Sequence, residues 1–118
     1  MLLKVLLRDL VNGSGALGAL VMDGDGIAID EFLSDDLFDL QGCAVEYVAV
    51  IRETRHASTL LECGCLEELA IMTESLQVLV RTITEDLVLL VVQAGDGNYG
   101  KSRYLMRRDL HKFRELLA

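Results

Sequence analysis

The sequence predicts an α+β fold in which a five-stranded antiparallel sheet packs against helices. Two apolar runs flank an Asp/Gly turn at residues 23–26, and three more strand-like runs are joined by short polar connections. Helical periodicity occurs before, between and after these two groups of strands. A chain of 118 residues with 52% hydrophobic content is sufficient for one core, so we expect a single domain over residues 1–118.

The chain opens with a short amphipathic helix followed by a β-hairpin. An apolar stripe at helical spacing precedes Asn12-Gly13, which should end this helix. The stripe consists of Leu3, Leu6, Leu7 and Leu10. Residues 16–22 and 27–33 are the first two predicted strands. The Asp-Gly turn between them supplies the positive φ angles that a tight hairpin requires.

Residues 38–62 have the periodicity of a long central helix, which Gly64 should end. The stripe expected to face the sheet consists of Leu40, Ala44, Tyr47, Ile51, Ser58 and Leu61. A second surface of mostly small apolar residues consists of Val45, Val48, Ala49 and Leu60. The sheet alone would not bury this second surface, so a second helix or another protein is expected to cover it.

Three further strands are predicted at 66–72, 78–84 and 87–93, antiparallel because their connections are short. Residues 69–72, Leu-Ala-Ile-Met, are apolar without alternation, which indicates that both sides of this strand are covered. If this strand is a sheet edge, its unpaired backbone also needs a partner, and a second copy would meet both needs. A last helix, starting near Tyr99, has basic residues opposite its apolar face. That face consists of Met106, Leu110, Phe113 and Leu117.

The composition excludes several classes of protein. A net charge of −8 disfavours nucleic-acid binding, because the chain would repel a phosphate backbone. The longest apolar run, residues 87–92, is too short to cross a membrane. The charged N-terminus lacks a signal-peptide pattern, so we expect a cytoplasmic protein with three free cysteines. Acidic residues concentrate in 23–39 and basic residues in 101–114, a distribution that steers a complementary partner or simply forms two solvated faces.

Two Gly-x-Gly-x-x-Gly matches raise the question of a nucleotide site. Residues 13–18 lead from a helix into a strand, the reverse of the dinucleotide-binding arrangement. Residues 95–100 follow a strand and open a helix, but no second parallel strand follows to hold the ribose. We therefore interpret 95–100 as a glycine-rich turn and expect no cofactor.

Metal and catalytic motifs are incomplete. The Asp23 to Asp30 segment resembles the start of a calcium loop, but Ile27 occupies a position that needs an oxygen ligand. Cys63-Gly64-Cys65 with His56 does not complete a four-ligand zinc site, although two chains meeting there could complete one. The two histidines lie on different predicted helices, and no serine lies in a nucleophile-elbow sequence. No catalytic residue and no resident metal are expected.

Three segments together resemble the Roadblock/dynein light chain family, in particular its bacterial or archaeal gliding-motility-regulator-like members. Residues 18–28 are similar to the family's first hairpin, and Gly64 falls where the family turns between its long helix and third strand. Asn98-Tyr99-Gly100, followed by Arg103-Tyr104-Leu105, is similar to the junction before its last helix. The resemblance spans nearly the whole chain and depends on the order of elements more than on one motif.

The resemblance implies a sheet of order 2-1-5-4-3, with the long helix on one face and the two terminal helices on the other. It also implies homodimers or heterodimers formed through the third strand and the long helix. The residues assigned to the dimer interface are Leu69, Ala70, Ile71, Met72 and Val48. Family members bind small Ras-like GTPases or act as scaffold subunits, and any stimulation of hydrolysis is thought to act through the GTPase's own residues.

We expect the solvent-facing side of the paired long helices to dock the GTPase, with the basic last helix as a secondary contact. The partner-binding residues are Val45, Ala49, Arg52, Glu53 and His56. Two other functions remain open. A small-molecule sensor with a profilin-like sheet would need a pocket between the sheet and the long helix. A small nucleotide-binding enzyme would use residues 95–100.

Overall fold

The computed structural model describes residues 2–118, within which three helices and five strands form an α+β fold. The elements are α1 (Leu2–Ser14), β1 (Gly18–Asp23), β2 (Ala28–Leu33), α2 (Leu40–Leu60), β3 (Glu68–Met72), β4 (Leu76–Thr82), β5 (Leu87–Ala94) and α3 (Tyr99–Leu117). The strands form one antiparallel sheet in the order β2-β1-β5-β4-β3, which confirms the predicted order.

Alternate residues of the central strands face two separate apolar clusters, one on each side of the sheet. Ala19 and Val21 of β1 face α1 and α3, whereas Leu20 and Met22 face α2. Phe113 of α3 is fully buried in the first cluster. The prediction of one long helix on one face and two terminal helices on the other is therefore confirmed.

The ends of α2 are set by hydrogen bonds that periodicity alone does not reveal. At the start, the Asp39 carboxylate accepts the Gly42 amide at 3.0 Å, so α2 begins at Leu40 instead of residue 38. At the end, the amide of Cys63 donates to Ser58 O and that of Glu62 to Thr59 O, the Schellman pattern. Glu62 takes the left-handed conformation, with φ of 54°, so the helix ends before Gly64.

Glu62→Gly is expected to stabilise the fold by about 0.5–1 kcal/mol. A non-glycine residue in the left-handed region costs roughly 1–2 kcal/mol, and glycine removes that cost while adding some unfolded-state entropy. Urea unfolding followed by circular dichroism measures the change. The matched control is Glu46→Gly, at an exposed site inside α2, which should destabilise by about 1 kcal/mol. Equal losses of stability in both variants would contradict the assignment of the cap.

The fourth strand begins two residues before its predicted start, because a side chain closes the preceding turn. The Thr73 hydroxyl donates to Leu76 O at 2.9 Å and accepts the Leu76 amide at 3.1 Å. Leu76 therefore already pairs with Ala94 of β5, and the strand ends at Thr82 instead of residue 84. The other strands lie within two residues of their predicted bounds.

A buried polar network ties α3 to the sheet. Gln93 is 1% exposed; its amide nitrogen donates to Gln77 Oε1 at 2.7 Å, and its Oε1 accepts the Ser102 hydroxyl. The Gln77 amide nitrogen donates to the carbonyls of Gly95 and Gly97 at 3.0 and 3.1 Å. Each buried amide and hydroxyl thus has a partner, which is the condition for burying such groups without a large penalty.

Gln93→Leu is expected to lower the free energy of unfolding by about 3 kcal/mol, because it leaves the Ser102 hydroxyl and Gln77 Oε1 buried and unpaired. Thermal unfolding should show a fall in Tm of roughly 10 °C. Ser102→Ala removes one hydrogen bond and should cost about 1 kcal/mol. A Gln93→Leu protein as stable as the wild type would show that the network does not contribute to stability.

Candidate functional site

One flank of α2 faces the β1–β2 hairpin and is exposed to solvent. The Arg52 guanidinium donates to Gly24 O at 2.9 Å and pairs with the Asp25 carboxylate at 2.8 Å. Nearer the helix start, Gln41 donates to the Glu31 carboxylate at 2.8 Å. We call this surface the hairpin flank; its exposed residues are Val45, Ala49, Arg52 and His56, with Glu53 beside them.

The hairpin flank brings the predicted partner-binding residues together on one side of α2. Val45 is 58% exposed, so an apolar side chain lies open to solvent beside charged neighbours. Arg52 is held against the hairpin by its two contacts, which leaves less of its side chain free than the sequence suggested. The flank can offer a mixed apolar and charged contact to another protein.

The basic helix α3 does not share a face with this flank. α3 packs in the cluster on the opposite side of the sheet from α2. The expectation that α3 supplies a secondary contact to a partner docked on α2 of the same copy is therefore wrong, because the sheet separates the two helices.

The opposite flank of α2 faces β3 and β4 and is apolar. Cys43 and Tyr47 are half-buried against the same cluster as Leu69 and Ile71 of β3. Val50 on this flank is 41% exposed. Burial, together with the Asp39 carboxylate, raises the pKa of the Cys43 thiol. We call this surface the β3 flank; the sequence analysis assigned Tyr47 to the sheet-facing stripe and did not identify Cys43 or Val50.

Strand β3 is an edge whose outer backbone groups have no strand partner within residues 2–118. The Thr82 amide donates to Glu67 O at 3.0 Å and the Thr73 amide to Leu76 O at 2.9 Å, which fixes the phase of the antiparallel ladder. In that phase Leu69 and Ile71 bond to β4, whereas the amides of Ala70 and Met72 point to the open edge.

The side chains of β3 are incompletely covered in a single copy. Leu69 and Ile71 are half-buried on the α2 side, while Ala70 and Met72 are exposed on the other face, Met72 by 49%. Four consecutive apolar residues on an open edge are unusual for a strand that stays unpaired.

Val48 does not lie on the outer surface where the sequence analysis placed it. Its side chain is 9% exposed and packs in the cluster beneath α2, with Cγ2 at 2.6 Å from the place a Cβ on Gly26 would occupy. Gly26 has a φ of +83°, so the hairpin turn and the helix fit together only at a glycine. Leu61, predicted to face the sheet, is 74% exposed because the helix has ended.

The glycine-rich segment 95–100 is a packed turn, as predicted. A Cβ on Gly95 would overlap the Glu74 carbonyl, and the Gln77 amide occupies the carbonyls of Gly95 and Gly97. Asn98 caps α3, since its side-chain oxygen accepts the Lys101 amide at 3.0 Å.

The acidic turn and the cysteine pair have other local structures than metal sites. The Asp23 carboxylate accepts the amides of Asp25 and Ile27 at 2.9 and 3.0 Å, which closes the hairpin. Cys63 and Cys65 are free and exposed. Across residues 2–118, no three His, Cys, Asp or Glu side chains cluster where a metal ion could bind. In the same range, no helix is both long and apolar enough to span a bilayer.

Comparisons with solved structures connect this fold to known proteins. MglC from Myxococcus xanthus is 34% identical with a TM-score of 0.73, and the match covers 99% of this chain and 100% of that chain. MglB from Myxococcus xanthus is 11% identical with a TM-score of 0.87, covering 98% and 94%. A Roadblock/LC7 domain from Streptomyces avermitilis is 17% identical with a TM-score of 0.83, covering 97% and 96%. No family model and no curated protein matches the sequence significantly.

The sheet order and the placement of the three helices define a roadblock-type fold. With the full-length similarity to MglC, the chain belongs to the Roadblock/LC7 family, as a member similar to MglB and MglC.

Proposed function

We propose that this chain is a non-catalytic regulatory or scaffold protein of the cytoplasm that forms homodimers and binds a small Ras-like GTPase. The observation that carries the proposal is that the two flanks of α2 differ. The β3 flank is apolar and continuous with an open strand edge, whereas the hairpin flank is exposed and mixed in character. One flank suits a second copy of the chain and the other suits a different protein.

Self-association through β3 is supported by the outward amides of Ala70 and Met72. Pairing with β3 of a second copy would satisfy these amides and extend the sheet. The same approach would cover Leu69, Ile71 and Tyr47, which are only half-buried in one copy. Val48 is excluded from this interface by its burial, and the β3 flank takes its place.

Binding of a GTPase is supported by the family resemblance and by the exposed hairpin flank. The proposed contact residues are Val45, Ala49, Arg52, Glu53 and His56, all exposed on α2. The flank has no catalytic arrangement, so any acceleration of GTP hydrolysis would come from rearranging the GTPase's own residues.

Affinity capture from native extract tests this proposal. The immobilised protein is incubated with extract containing either a non-hydrolysable GTP analogue or GDP, and retained proteins are identified by mass spectrometry. We expect a Ras-like GTPase to be retained mainly in the GTP-analogue state. Retention of no GTPase in either state would contradict the proposal and favour a purely scaffolding role.

The alternative of a sensor with a pocket between the sheet and α2 is not favoured. The space there is only about 10 Å³, between Met22, Val48, Ile51 and Val88. Buried side chains fill the interface instead.

A further inference from the structure

A cavity of about 410 Å³ lies at the C-terminal end of α2. It is bounded by the last two turns of α2, the loop leading to β3, the end of β4 and the β4–β5 turn. Its volume is at the lower end of the range of small-molecule sites, roughly 300–1,000 Å³. The polar residues that matter to its chemistry are Arg55, Ser58, Thr59, Glu62, Thr82 and Glu85.

Two buried polar atoms of this cavity have no hydrogen-bond partner within residues 2–118. They are Nη2 of Arg55 and the hydroxyl oxygen of Thr82. A buried donor without a partner costs about 1–3 kcal/mol, more for a charged group. The two atoms belong to different elements, α2 and β4, and both residues line the same space. An oxyanion bound there would pair with both.

The rest of the polar lining consists of acceptors. The hydroxyl of Ser58 donates to Thr54 O at 3.0 Å and that of Thr59 to Arg55 O at 3.2 Å, so each oxygen keeps lone pairs for a ligand. The carboxylates of Glu62 and Glu85 also line the cavity. Two carboxylates disfavour a doubly charged phosphate and favour a group that donates hydrogen bonds and carries positive charge.

The backbone places one of these carboxylates at a cost. Glu62 has a φ of 54° at a helix end where glycine is the usual residue. Strained positions of this kind are retained where the side chain is needed.

We propose that this cavity binds a small zwitterion with one carboxylate and one ammonium group, that is, a free α-amino acid or a related amino carboxylate. Arg55 and Thr82 bind the carboxylate, while Glu62, Glu85 and the two hydroxyl oxygens accept the ammonium group. Leu66 supplies apolar contact for the remainder of the ligand. This site is separate from the hairpin flank and does not depend on the proposed binding of a GTPase.

Isothermal titration of the purified protein with each proteinogenic amino acid tests the site. Acetate, methylamine and inorganic phosphate are titrated in parallel to separate the contributions of the two charges. We expect at least one amino acid to bind saturably, and each of the three simple ions to bind at least about tenfold more weakly, because each pairs with only part of the cavity. Failure of every amino acid to saturate the protein, or tighter binding of phosphate, would overturn the proposal.

Variants place the binding in this cavity. Arg55→Gln and Glu85→Gln should each weaken the amino acid by about 10- to 100-fold, since each removes a charge-assisted hydrogen bond. Arg52→Gln, three residues away on α2 and outside the cavity, is the matched control and should bind as the wild type does. Glu85 lies in an exposed turn, so its variant tests the site independently of any effect of Arg55 on folding. Unchanged affinity in both variants would show that the ligand binds elsewhere.

Discussion

Ala70→Pro is expected to abolish self-association while leaving the fold intact. Proline removes the Ala70 amide, which points to the open edge and makes no bond to β4. In a pair of β3 strands the substitution would remove a hydrogen bond from each copy and introduce a ring where the second strand must approach. We expect the dimer dissociation constant to rise by about 100-fold or more, measured by sedimentation equilibrium.

Two control variants make this result specific to the edge. Ala70→Val keeps the amide and should still self-associate, because β-branched residues suit a strand. Ile71→Pro removes an amide that bonds to β4 and should destabilise the monomer as well. Self-association of Ala70→Pro at wild-type strength would exclude β3 as the interface.

Ala49→Arg is expected to abolish binding of the GTPase without unfolding the protein. Ala49 is exposed on the hairpin flank, so a long charged side chain can extend into solvent in the free protein. In a complex the same side chain would occupy space at the centre of the proposed contact, next to Val45 and Arg52. Surface-plasmon binding to the GTPase loaded with a GTP analogue should fall by about 100-fold or more.

Tyr104→Arg is the control for added charge. Tyr104 is 61% exposed on α3, which packs on the other face of the sheet from α2. This variant should bind the GTPase normally. Normal binding by a folded Ala49→Arg protein would contradict the placement on the hairpin flank, and loss of binding in Tyr104→Arg alone would move the contact to α3.

The fold was predictable from local patterns because turn chemistry and periodicity agree along most of the chain. The Asp-Gly turn, the leucine stripe of α1 and the short β-strand connections each indicate one local structure. The strand order came from the family resemblance and was confirmed. The errors lie where a side chain sets a boundary, as Thr73 does at the start of β4.

The candidate sites were less predictable because they depend on how α2 is rotated against the sheet. Tyr47 and Val48 are neighbours in sequence, and a rotation of a few tens of degrees decides which one is buried. The contact between Val48 and Gly26 fixes that rotation, and it joins residues far apart in the chain. The cavity at Arg55 could not be predicted, since it is formed by residues from α2, β4 and two loops.

The central claim is that two copies of this chain pair and present α2 to a GTPase, and the mass of the complex tests it most directly. Size exclusion with multi-angle light scattering is run on the purified protein alone and with a Ras-like GTPase loaded with a GTP analogue. The account predicts a dimer alone, and a complex that contains two copies of the chain when the GTPase is added. A monomer that forms no complex with the loaded GTPase would contradict it.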